Sequence, residues 1–413
     1  MTYNLIQMGC QMNRSDAERI RTVLERMGFE ETADEDSADV LGIVACSVRQ
    51  KAIDKVYSRA HKWSRLERRG DRFTFLSGCV LPADRKKLAE RFDLMFDITE
   101  LPRLPYLFAD NMKGSLFPGD GARGAGVTGG PGPDIPAPDS EGSVDYYWQI
   151  TPSHTSTFEA FVPIQNGCNK FCTFCAVPYT RGREVSRPLD EIVAEVEQLV
   201  SRGVRSITLL GQNVNSYGAE GSGSSRTEPA FATLLDKLGR IPPVGDHPHW
   251  IYYTSPHPKD MGEDVLEVMA RHETIAKQIH LPLQSGNDEV LRRMNRGYTV
   301  SEYLRLVEQI RSYLPQATLF TDVIVGFTGE TGEQFQSTAE VMKNVGFDMA
   351  YIAMYSPRPG AGSARWEDDI PQAEKRKRLH HLSEILRKGS LDRNKRLVGT
   401  RVPALIEGLD RKQ

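Results

Sequence analysis

The sequence predicts an α/β protein in which an N-terminal domain with a parallel sheet is followed by a partial (β/α)6 barrel. Three observations support this prediction. Strand-like and helix-like patterns alternate over the first hundred residues, as expected for a parallel sheet. A Gly- and Pro-rich stretch from Pro118 to Gly142 separates this part from the rest. From Phe158 onward, six more strand-like runs alternate with helix-like segments.

The N-terminal domain is predicted to cover residues 1–116, with the strand-like runs YNLIQMG, DVLGIVA and RFTFLSG. Helix-like stretches from Ser15 to Gly28 and from Gln50 to Arg69 connect these runs. One cysteine follows each strand, namely Cys10, Cys46 and Cys79. The carboxyl ends of parallel strands meet at the edge where open α/β folds place their ligands. We therefore expect the three thiols to lie together.

Residues 117–157 are predicted to be a linker or an insertion. About half of the residues between Pro118 and Gly142 are Gly or Pro, and no hydrophobic periodicity remains there. Such a composition cannot bury a core, so no further domain is expected in this stretch.

Residues 158–388 are predicted to form the partial barrel, with the runs EAFVPIQ, RSITLLG, HWIYYTS, AKQIHLPLQ, TLFTDVIVGF and MAYIAMYS as its strands. The helix after the first strand has one apolar face, made of Leu189, Ile192, Val193, Val196, Leu199 and Val200. Barrels of this kind place their chemistry on the loops at the carboxyl ends of the strands. The loop after the first strand contains Cys168, Cys172 and Cys175.

The spacing C-x3-C-x2-C in this loop favours a cubic iron-sulfur cluster. All-cysteine ligation of such a cluster needs four thiolates, so three leave one iron open to a substrate or cofactor. A zinc site completed by a distant histidine is the alternative, but zinc motifs normally contain cysteines as C-x2-C pairs.

The other three cysteines, at the strand ends of the N-terminal domain, favour a second metal site. Taken singly, each is better explained as a small buried side chain, because free cysteine is among the most buried residue types. Their equivalent positions argue for ligation, and no cysteine remains outside the two triplets.

Composition is that of an ordinary globular protein, with 413 residues of which 39% are hydrophobic and 26% charged. The N-terminus lacks the pattern of a signal peptide, and no apolar run has transmembrane length. Six cysteines, three of them in one loop, fit metal ligation in the reducing cytoplasm better than disulfides. The net charge of −3 does not indicate nucleic-acid binding, although a local basic face could still provide it.

The cysteine loop, with Phe174 just before its last cysteine, resembles the radical S-adenosylmethionine (SAM) superfamily. The segments GCQMNRSDAE, ACSVRQKAIDKVYSR and LSGCV resemble the N-terminal domain of the methylthiotransferases. This resemblance implies two [4Fe-4S] clusters, SAM as cofactor, and ligation by both cysteine triplets. Within the family, GCQMN and CSVRQKA most resemble the branch that modifies N6-isopentenyladenosine in tRNA.

The resemblance also implies roles for residues at the strand ends. Phe174, near the cluster, and a set of polar residues would bind the cofactor; the polar residues are Gln212, Asn213, Gln284, Ser285 and Asp322. Ordinary loop hydrogen bonds explain each of them equally well. Three arginines after the cysteine loop, namely Arg181, Arg183 and Arg187, would meet a phosphate of the substrate or the SAM carboxylate, although a solvated surface competes as an explanation.

The C-terminal residues 389–413 are expected to begin a β segment, because VGTRVPALIEG resembles the opening strands of the RNA-binding TRAM domain. Only about the first third of that small barrel would be present, so this TRAM-like segment is expected to be truncated. The stretch from Lys375 to Arg401 contains ten Lys or Arg residues and only two acidic residues. Such a face could neutralise RNA phosphates, or it could simply keep the last helix solvated.

The resemblance implies a methylthiotransferase that places a methylthio group on C2 of isopentenylated adenosine next to the tRNA anticodon. One SAM would methylate a sulfur held at the N-terminal cluster, and another would yield the radical that takes hydrogen from C2. The partners would be tRNA, an electron donor such as a flavodoxin or ferredoxin, and a sulfur donor. Alternatives are a sibling enzyme for threonylcarbamoyl-adenosine or a ribosomal-protein aspartate, and a non-catalytic iron-sulfur or RNA-binding protein.

Overall fold

The computed structural model describes residues 1–48, 50–66, 72–112, 144–219, 230–245, 247–402 and 404–406. Most of the predicted linker, residues 117–143, lies outside this part of the chain. None of the described helices is long and apolar enough to span a membrane. The predicted α/β class, with a parallel-sheet domain before the barrel, is confirmed.

The N-terminal domain alternates strands and helices as predicted. Its elements are β1 (Thr2–Gln7), α1 (Gln11–Arg26), β2 (Glu30–Glu31), β3 (Val40–Cys46), α2 (Gln50–Trp63), β4 (Phe73–Cys79), α3 (Pro82–Leu88), β5 (Leu94–Met95), a 3-10 helix (Ile98–Arg103), α4 (Leu104–Asn111) and α5 (Val144–Trp148).

Within the described residues, these five strands form one parallel sheet in the order β2-β1-β3-β4-β5. Every residue of β3 and β4 is buried, because helices cover both faces of the sheet. Cores lie on either face, one around Phe75 and Phe108 and the other around Trp63. Tyr147 and Trp148 of α5 pack into the first of these cores, so this part of the predicted linker belongs to the N-terminal domain.

The second domain contains all six predicted barrel strands. Its elements are β6 (Glu159–Pro163), β7 (Gln165–Asn166), α6 (Pro178–Arg181), β8 (Val185–Ser186), α7 (Leu189–Ser201), β9 (Ser206–Leu210), a 3-10 helix (Val214–Ser216), α8 (Ala230–Gly239), β10 (Trp250–Tyr253), a 3-10 helix (Pro258–Asp260), α9 (Glu263–Arg271), β11 (Gln278–His280), α10 (Asp288–Arg293), α11 (Val300–Tyr313), β12 (Thr318–Val325), α12 (Gly332–Val345), β13 (Met349–Met354), a 3-10 helix (Gly362–Arg365) and α13 (Gln372–Leu397).

The barrel consists of two three-stranded parallel sheets, ordered β6-β9-β10 and β11-β12-β13 among the described residues. A parallel bridge between Ile251 and Ile275 connects them. Residues of β12 alternate, with Leu319, Val323 and Val325 buried in the core and Asp322 only partly buried. The barrel wall is therefore packed against its helices, whereas its inner face remains open to a ligand.

The last helix extends further than the predicted domain boundary at residue 389. It continues to Leu397, and the described residues after it, 398–402 and 404–406, contain no strand. The structure thus does not show the expected TRAM-like strands. Residue 403 and residues 407–413 lie outside the described part.

Helix α1 joins the two domains. It packs against β1 and β3 of its own sheet and also against β6 of the barrel. Arg14 forms an ion pair with Glu159 at 2.5 Å, and the Ser15 hydroxyl donates to the carbonyl of Phe161 at 3.3 Å. Polar side chains in the first half of α1 are consequently buried between the domains.

Candidate metal centres and the domain interface

The three N-terminal cysteines lie together at one edge of the sheet. Cys46 and Cys79 are register partners at the carboxyl ends of β3 and β4. Cys10 follows β1 and precedes the first residue of α1. A Cβ added to Gly9 would lie 2.8 Å from Cβ of Cys46, so only glycine lets the β1 end approach so closely. The fold thus brings together the thiols that the strand pattern predicts to be neighbours.

Asn13, one turn into α1, organises this cysteine triplet. Its amide nitrogen donates to the carbonyl of Ala45 at 2.5 Å, next to Cys46. Its amide oxygen accepts from the thiol of Cys10 at 3.2 Å and lies 3.9 Å from the sulfur of Cys79. The side chain is fully buried, so these contacts hold helix α1 at a defined distance from the sheet edge.

A guanidinium from the barrel domain also reaches this triplet. Nε of Arg181 donates to the sulfur of Cys79 at 2.9 Å. Arg181 is the last residue of α6, six positions after Cys175. The N-terminal thiols therefore lie at the domain interface, beside the segment that follows the second triplet.

The second triplet occupies the loop between β7 and α6. The backbone N–H of Cys175 donates to the carbonyl of Cys172 at 2.9 Å, and that of Cys168 donates to the carbonyl of Gly182 at 3.2 Å. Phe171, between the first two cysteines, has a φ of 48°, which curls the loop tightly. Burial raises the pKa of Cys168 and of Cys175, and the neighbouring thiols of the loop raise both pKa values further.

Each sulfur of the second triplet has an N–H donor. The backbone N–H of Lys170 donates to Cys168, and that of Val177 donates to Cys175. Nη1 of Arg296 donates to the sulfur of Cys172 at 3.3 Å. Sulfurs held by hydrogen-bond donors suit thiolate ligands of an iron-sulfur cluster, because such bonds stabilise negative charge on sulfur. The donor set therefore fits a cluster.

Burial raises the pKa of Cys79 and of Cys175 to about 12. Without a metal these side chains are therefore neutral thiols at physiological pH, and binding iron requires them to lose protons. No group of three His, Cys, Asp or Glu side chains in the described ranges has the compact arrangement that encloses a single ion. A cubic cluster differs from that case, since each cysteine binds a separate iron.

Comparisons with known proteins identify the family. Two relatives named tRNA-2-methylthio-N(6)-dimethylallyladenosine synthase are 36% and 38% identical, the first from Dictyoglomus thermophilum and the second from Bordetella avium. The matches cover 99% and 98% of this chain, and 88% and 81% of those proteins.

The chain belongs to this synthase family. The Radical SAM superfamily model matches residues 162–342, and the model of the uncharacterized protein family UPF0004 matches residues 2–98. Membership in the radical SAM superfamily implies a [4Fe-4S] cluster and SAM. The predicted family is thereby confirmed.

Solved structures support the fold. The radical SAM methyltransferase TsrM from Kitasatospora setae superposes with a TM-score of 0.60 at 17% identity, covering 88% of this chain and 75% of that one. The cobalamin-dependent SAM radical enzyme OxsB gives a TM-score of 0.53 at 13% identity, covering 94% and 56%. At these identities the likeness concerns the fold alone.

Two of the expected cofactor-binding residues, Gln212 and Asn213, lie beside the cysteine loop. The side-chain oxygen of Gln212 accepts from the backbone N–H of Gly167 at 2.6 Å. Asn213 donates to Asp260 at 2.8 Å, and Asp260 forms an ion pair with Lys170 at 2.6 Å. The amide oxygen of Asn213 is buried without a partner, so it is available to a ligand.

The residues expected at β11 and β12 are divided between the inner face of the barrel and its wall. Gln284 has a φ of 65°, and its buried side-chain oxygen has no partner, which suits a ligand contact. Asp322 is partly exposed on the inner face, and its carboxylate oxygen lies 2.8 Å from Nε2 of His280. Ser285 is instead fully buried, with its hydroxyl 3.4 Å from that of Thr338, so its side chain supports the wall.

Phe174 packs with Phe327, Tyr355 and Met294 behind the cysteine loop, and so supports the loop from the side of the barrel.

The three expected arginines have different surroundings. Arg183 is exposed, with its guanidinium 4.7 Å from the ring centre of Phe171. Arg187 is buried and paired with Glu195 and, at 3.3 Å, with Glu191. Arg181 is buried at the domain interface. Of the three, only Arg183 is placed to meet a phosphate from solvent.

Sequence reasoning did not identify several residues at these centres. Asn13 and Asp16 lie one helical turn apart on α1, and this spacing could have placed both on the face of Cys10. No local sequence pattern indicated Arg296 or Asp260, because these residues contact the cysteine loop only in the tertiary fold. No sequence pattern indicated that His280 lies beside Asp322 on the inner face of the barrel.

Proposed function

We propose that this chain adds a methylthio group to C2 of N6-isopentenyladenosine next to the anticodon of tRNA, using SAM as methyl donor and radical source. Membership in a family whose relatives carry this synthase name and match nearly the full length of this chain supports the proposal. The observation that carries it is the placement of the N-terminal cysteine triplet at the domain interface, where Arg181, six residues after the second triplet, donates to Cys79.

Each triplet would hold one [4Fe-4S] cluster, the first through Cys10, Cys46 and Cys79 and the second through Cys168, Cys172 and Cys175. When bound, the second cluster supplies the electron that cleaves SAM, and the first provides the site of sulfur transfer. Two open-iron clusters suit a reaction that needs both a radical and a sulfur group.

The chain's own residues would orient SAM and exclude water. Gln212 and the Lys170–Asp260–Asn213 chain fix the cysteine loop, while the buried oxygens of Asn213 and Gln284 remain free for polar groups of SAM. Asp322 would accept a hydrogen bond from SAM or substrate on the inner face. Packing of the N-terminal domain on the barrel through α1 and β6 would help to exclude water from the reaction.

The exposed basic residues of α13 would bind the phosphates of tRNA. Two of the ten basic residues in this region are unavailable, because Lys375 is buried against Asp368 and Arg378 against Glu330. Exposed ones remain, namely Arg376, Lys377, Arg387, Lys388, Lys395, Arg396 and Arg401. Contacts of this kind supply affinity without sequence preference.

The reaction also requires an electron donor, such as a flavodoxin or ferredoxin, and a source of sulfur, and we include both among the partners. A tRNA substrate together with six cysteines that form no disulfide fits a cytoplasmic location, which we include in the proposal.

The test is an anaerobic assay of the reconstituted protein with SAM and a reductant. Isopentenylated tRNA, threonylcarbamoylated tRNA and the ribosomal protein are offered separately, and the products are identified by mass spectrometry. We expect a methylthio product only on the isopentenylated tRNA. Product on another acceptor instead would refute the proposed substrate, and no cleavage of SAM would refute the radical chemistry.

Two matched variants separate the roles of the triplets. Cys175→Ala should abolish SAM cleavage, whereas Cys79→Ala should retain cleavage but form no methylthio product. Replacing Cys10, Cys46 and Cys79 together with Ala should remove roughly half of the bound iron. Unchanged iron in that variant would show that only one cluster is present.

A further inference from the structure

Arg181 lies in the segment that follows the second triplet, and its side chain donates to Cys79 of the first triplet. We propose that Arg181 is a positioning residue whose N–H donation to Cys79 raises the reduction potential of the N-terminal cluster and ties that cluster to the SAM-cleaving loop. This inference rests on the N-terminal cluster of the proposed function, the one held by Cys10, Cys46 and Cys79.

The guanidinium of Arg181 is held by three partners, which leave it little freedom. Nη2 pairs with Asp16, Nη1 donates to the side-chain oxygen of Asn166 at 3.1 Å, and Nε donates to Cys79 at 2.9 Å. Asp16 also accepts from the hydroxyl of Tyr147 at 2.8 Å. The side chains of Arg181 and Asp16 are 3% and 0% exposed, respectively. Because the guanidinium is planar and is held through Nη1 and Nη2, its Nε–H points at the sulfur of Cys79.

Backbone contacts link the position of Arg181 to the second triplet. The carbonyl of Arg181 accepts from the side chain of Asn166 at 3.1 Å, and the carbonyl of the next residue, Gly182, accepts from the N–H of Cys168 at 3.2 Å. Helix α6 spans only Pro178–Arg181, so the path from Cys175 to Arg181 is short. The guanidinium therefore keeps the two triplets in a fixed relation.

A hydrogen bond from a cationic donor to a cluster sulfur stabilises the reduced, more negative state. Arg296 makes the equivalent contact with Cys172 in the second triplet and is also buried. Each triplet thus has one buried guanidinium on one of its sulfurs. An arginine needed only to connect the domains would have no reason to direct Nε at Cys79.

The test uses the full-length chain with Cys168, Cys172 and Cys175 replaced by Ala, reconstituted without oxygen. This parent isolates the N-terminal cluster, whose iron content and midpoint potential are measured by iron analysis and by redox titration followed with electron paramagnetic resonance. Arg181→Met, Arg181→Lys and Asp16→Asn are compared with it. Arg183→Met, which removes an exposed arginine of the same segment, is the control.

We expect Arg181→Met to lower the midpoint potential and Arg181→Lys to lower it less, because lysine keeps the charge. Asp16→Asn should shift the potential upward, because it removes a negative charge and leaves the donor in place. Arg181→Met and Asp16→Asn break the same ion pair, so a purely structural role of Arg181 would shift the midpoint potential of both variants in the same direction. Arg183→Met should leave the potential unchanged.

An unchanged potential in an Arg181→Met protein that keeps its iron would overturn the proposal. Loss of iron with an unchanged circular dichroism spectrum would support it, whereas loss of iron together with the fold would overturn it. If the parent itself binds no iron, the proposed N-terminal cluster fails and this inference fails with it. Normal iron with an unchanged potential leaves the N-terminal cluster standing and refutes only the role of Arg181.

Discussion

His257 is a buried histidine that stays uncharged throughout the physiological range. Burial, followed by the positive charges of Arg296, Lys170 and Lys259, lowers its pKa from 6.5 to about 2. Its Nδ1 accepts from the backbone N–H of Lys259 at 3.2 Å, so the neutral ring caps a short 3-10 helix near the cysteine loop. Between pH 6.5 and 2 the unfolded chain binds a proton that the folded chain excludes.

This histidine should therefore make the protein less stable as the pH falls below 6.5. For one such group the loss between pH 7 and pH 5 is about 2 kcal/mol. His257→Asn keeps a capping acceptor but cannot be protonated. Between pH 7 and pH 5 the unfolding free energy of this variant should therefore fall less than that of the parent chain, by about 2 kcal/mol. Urea denaturation of the iron-free chain at both pH values measures the difference.

His61 offers the matched control, because it is exposed on α2. His61→Asn should lose as much stability on acidification as the parent chain. If His257→Asn behaves in the same way, His257 is not the group responsible.

At the scale of elements, the strands followed from the sequence because each is a continuous apolar run bounded by turns. All six runs predicted for the barrel are strands, from β6 at Glu159–Pro163 to β13 at Met349–Met354. The last helix was harder to delimit, since it continues past Gly389 to Leu397, and the glycine with a φ of 85° follows only at position 399. Local pattern thus predicts where an element exists better than where it ends.

The loop after β11 approaches helix α12 more closely than any side chain would allow. A Cβ on Gly286 would lie 2.5 Å from Cα of Thr338, and the N–H of Gly286 donates to the hydroxyl of Thr338 at 2.9 Å. Gly286→Ala should therefore push the loop away from the helix and lower the unfolding free energy by about 1–3 kcal/mol. Denaturation of the iron-free chain measures this loss.

Gly332, the first residue of the same helix, is the control. A Cβ there meets nothing within 4 Å, so Gly332→Ala should be neutral or stabilise by up to about 1 kcal/mol. Equal effects of the two substitutions would mean that close approach to α12 does not explain the need for glycine at position 286.

For the whole molecule, the cysteine sites were predictable and the interface between them was not. Cys46 and Cys79 follow neighbouring parallel strands, so strand order alone places them side by side. Asp16 and Arg181 are 165 residues apart in sequence and meet only when α1 packs on the barrel. On a helix of mixed polarity, Asp16 resembles a solvent-exposed residue, and only the second domain makes it buried.

The buried pair of Asp16 and Arg181 should therefore stabilise the joined domains as a unit. Removing one partner leaves an uncompensated buried charge, so Asp16→Leu and Arg181→Met should each cost about 3–5 kcal/mol in unfolding free energy. The double variant leaves neither charge unpaired. Its cost should be smaller than the sum of the single costs by at least about 1 kcal/mol.

Urea denaturation of the iron-free parent, both single variants and the double variant measures this coupling. Arg183→Met, on the exposed side of the same segment, should change stability by less than about 0.5 kcal/mol. Additive costs of the two single substitutions would show that the pair does not couple the domains. Because the iron-free chain is used, this result depends on the interface alone and not on cluster assembly.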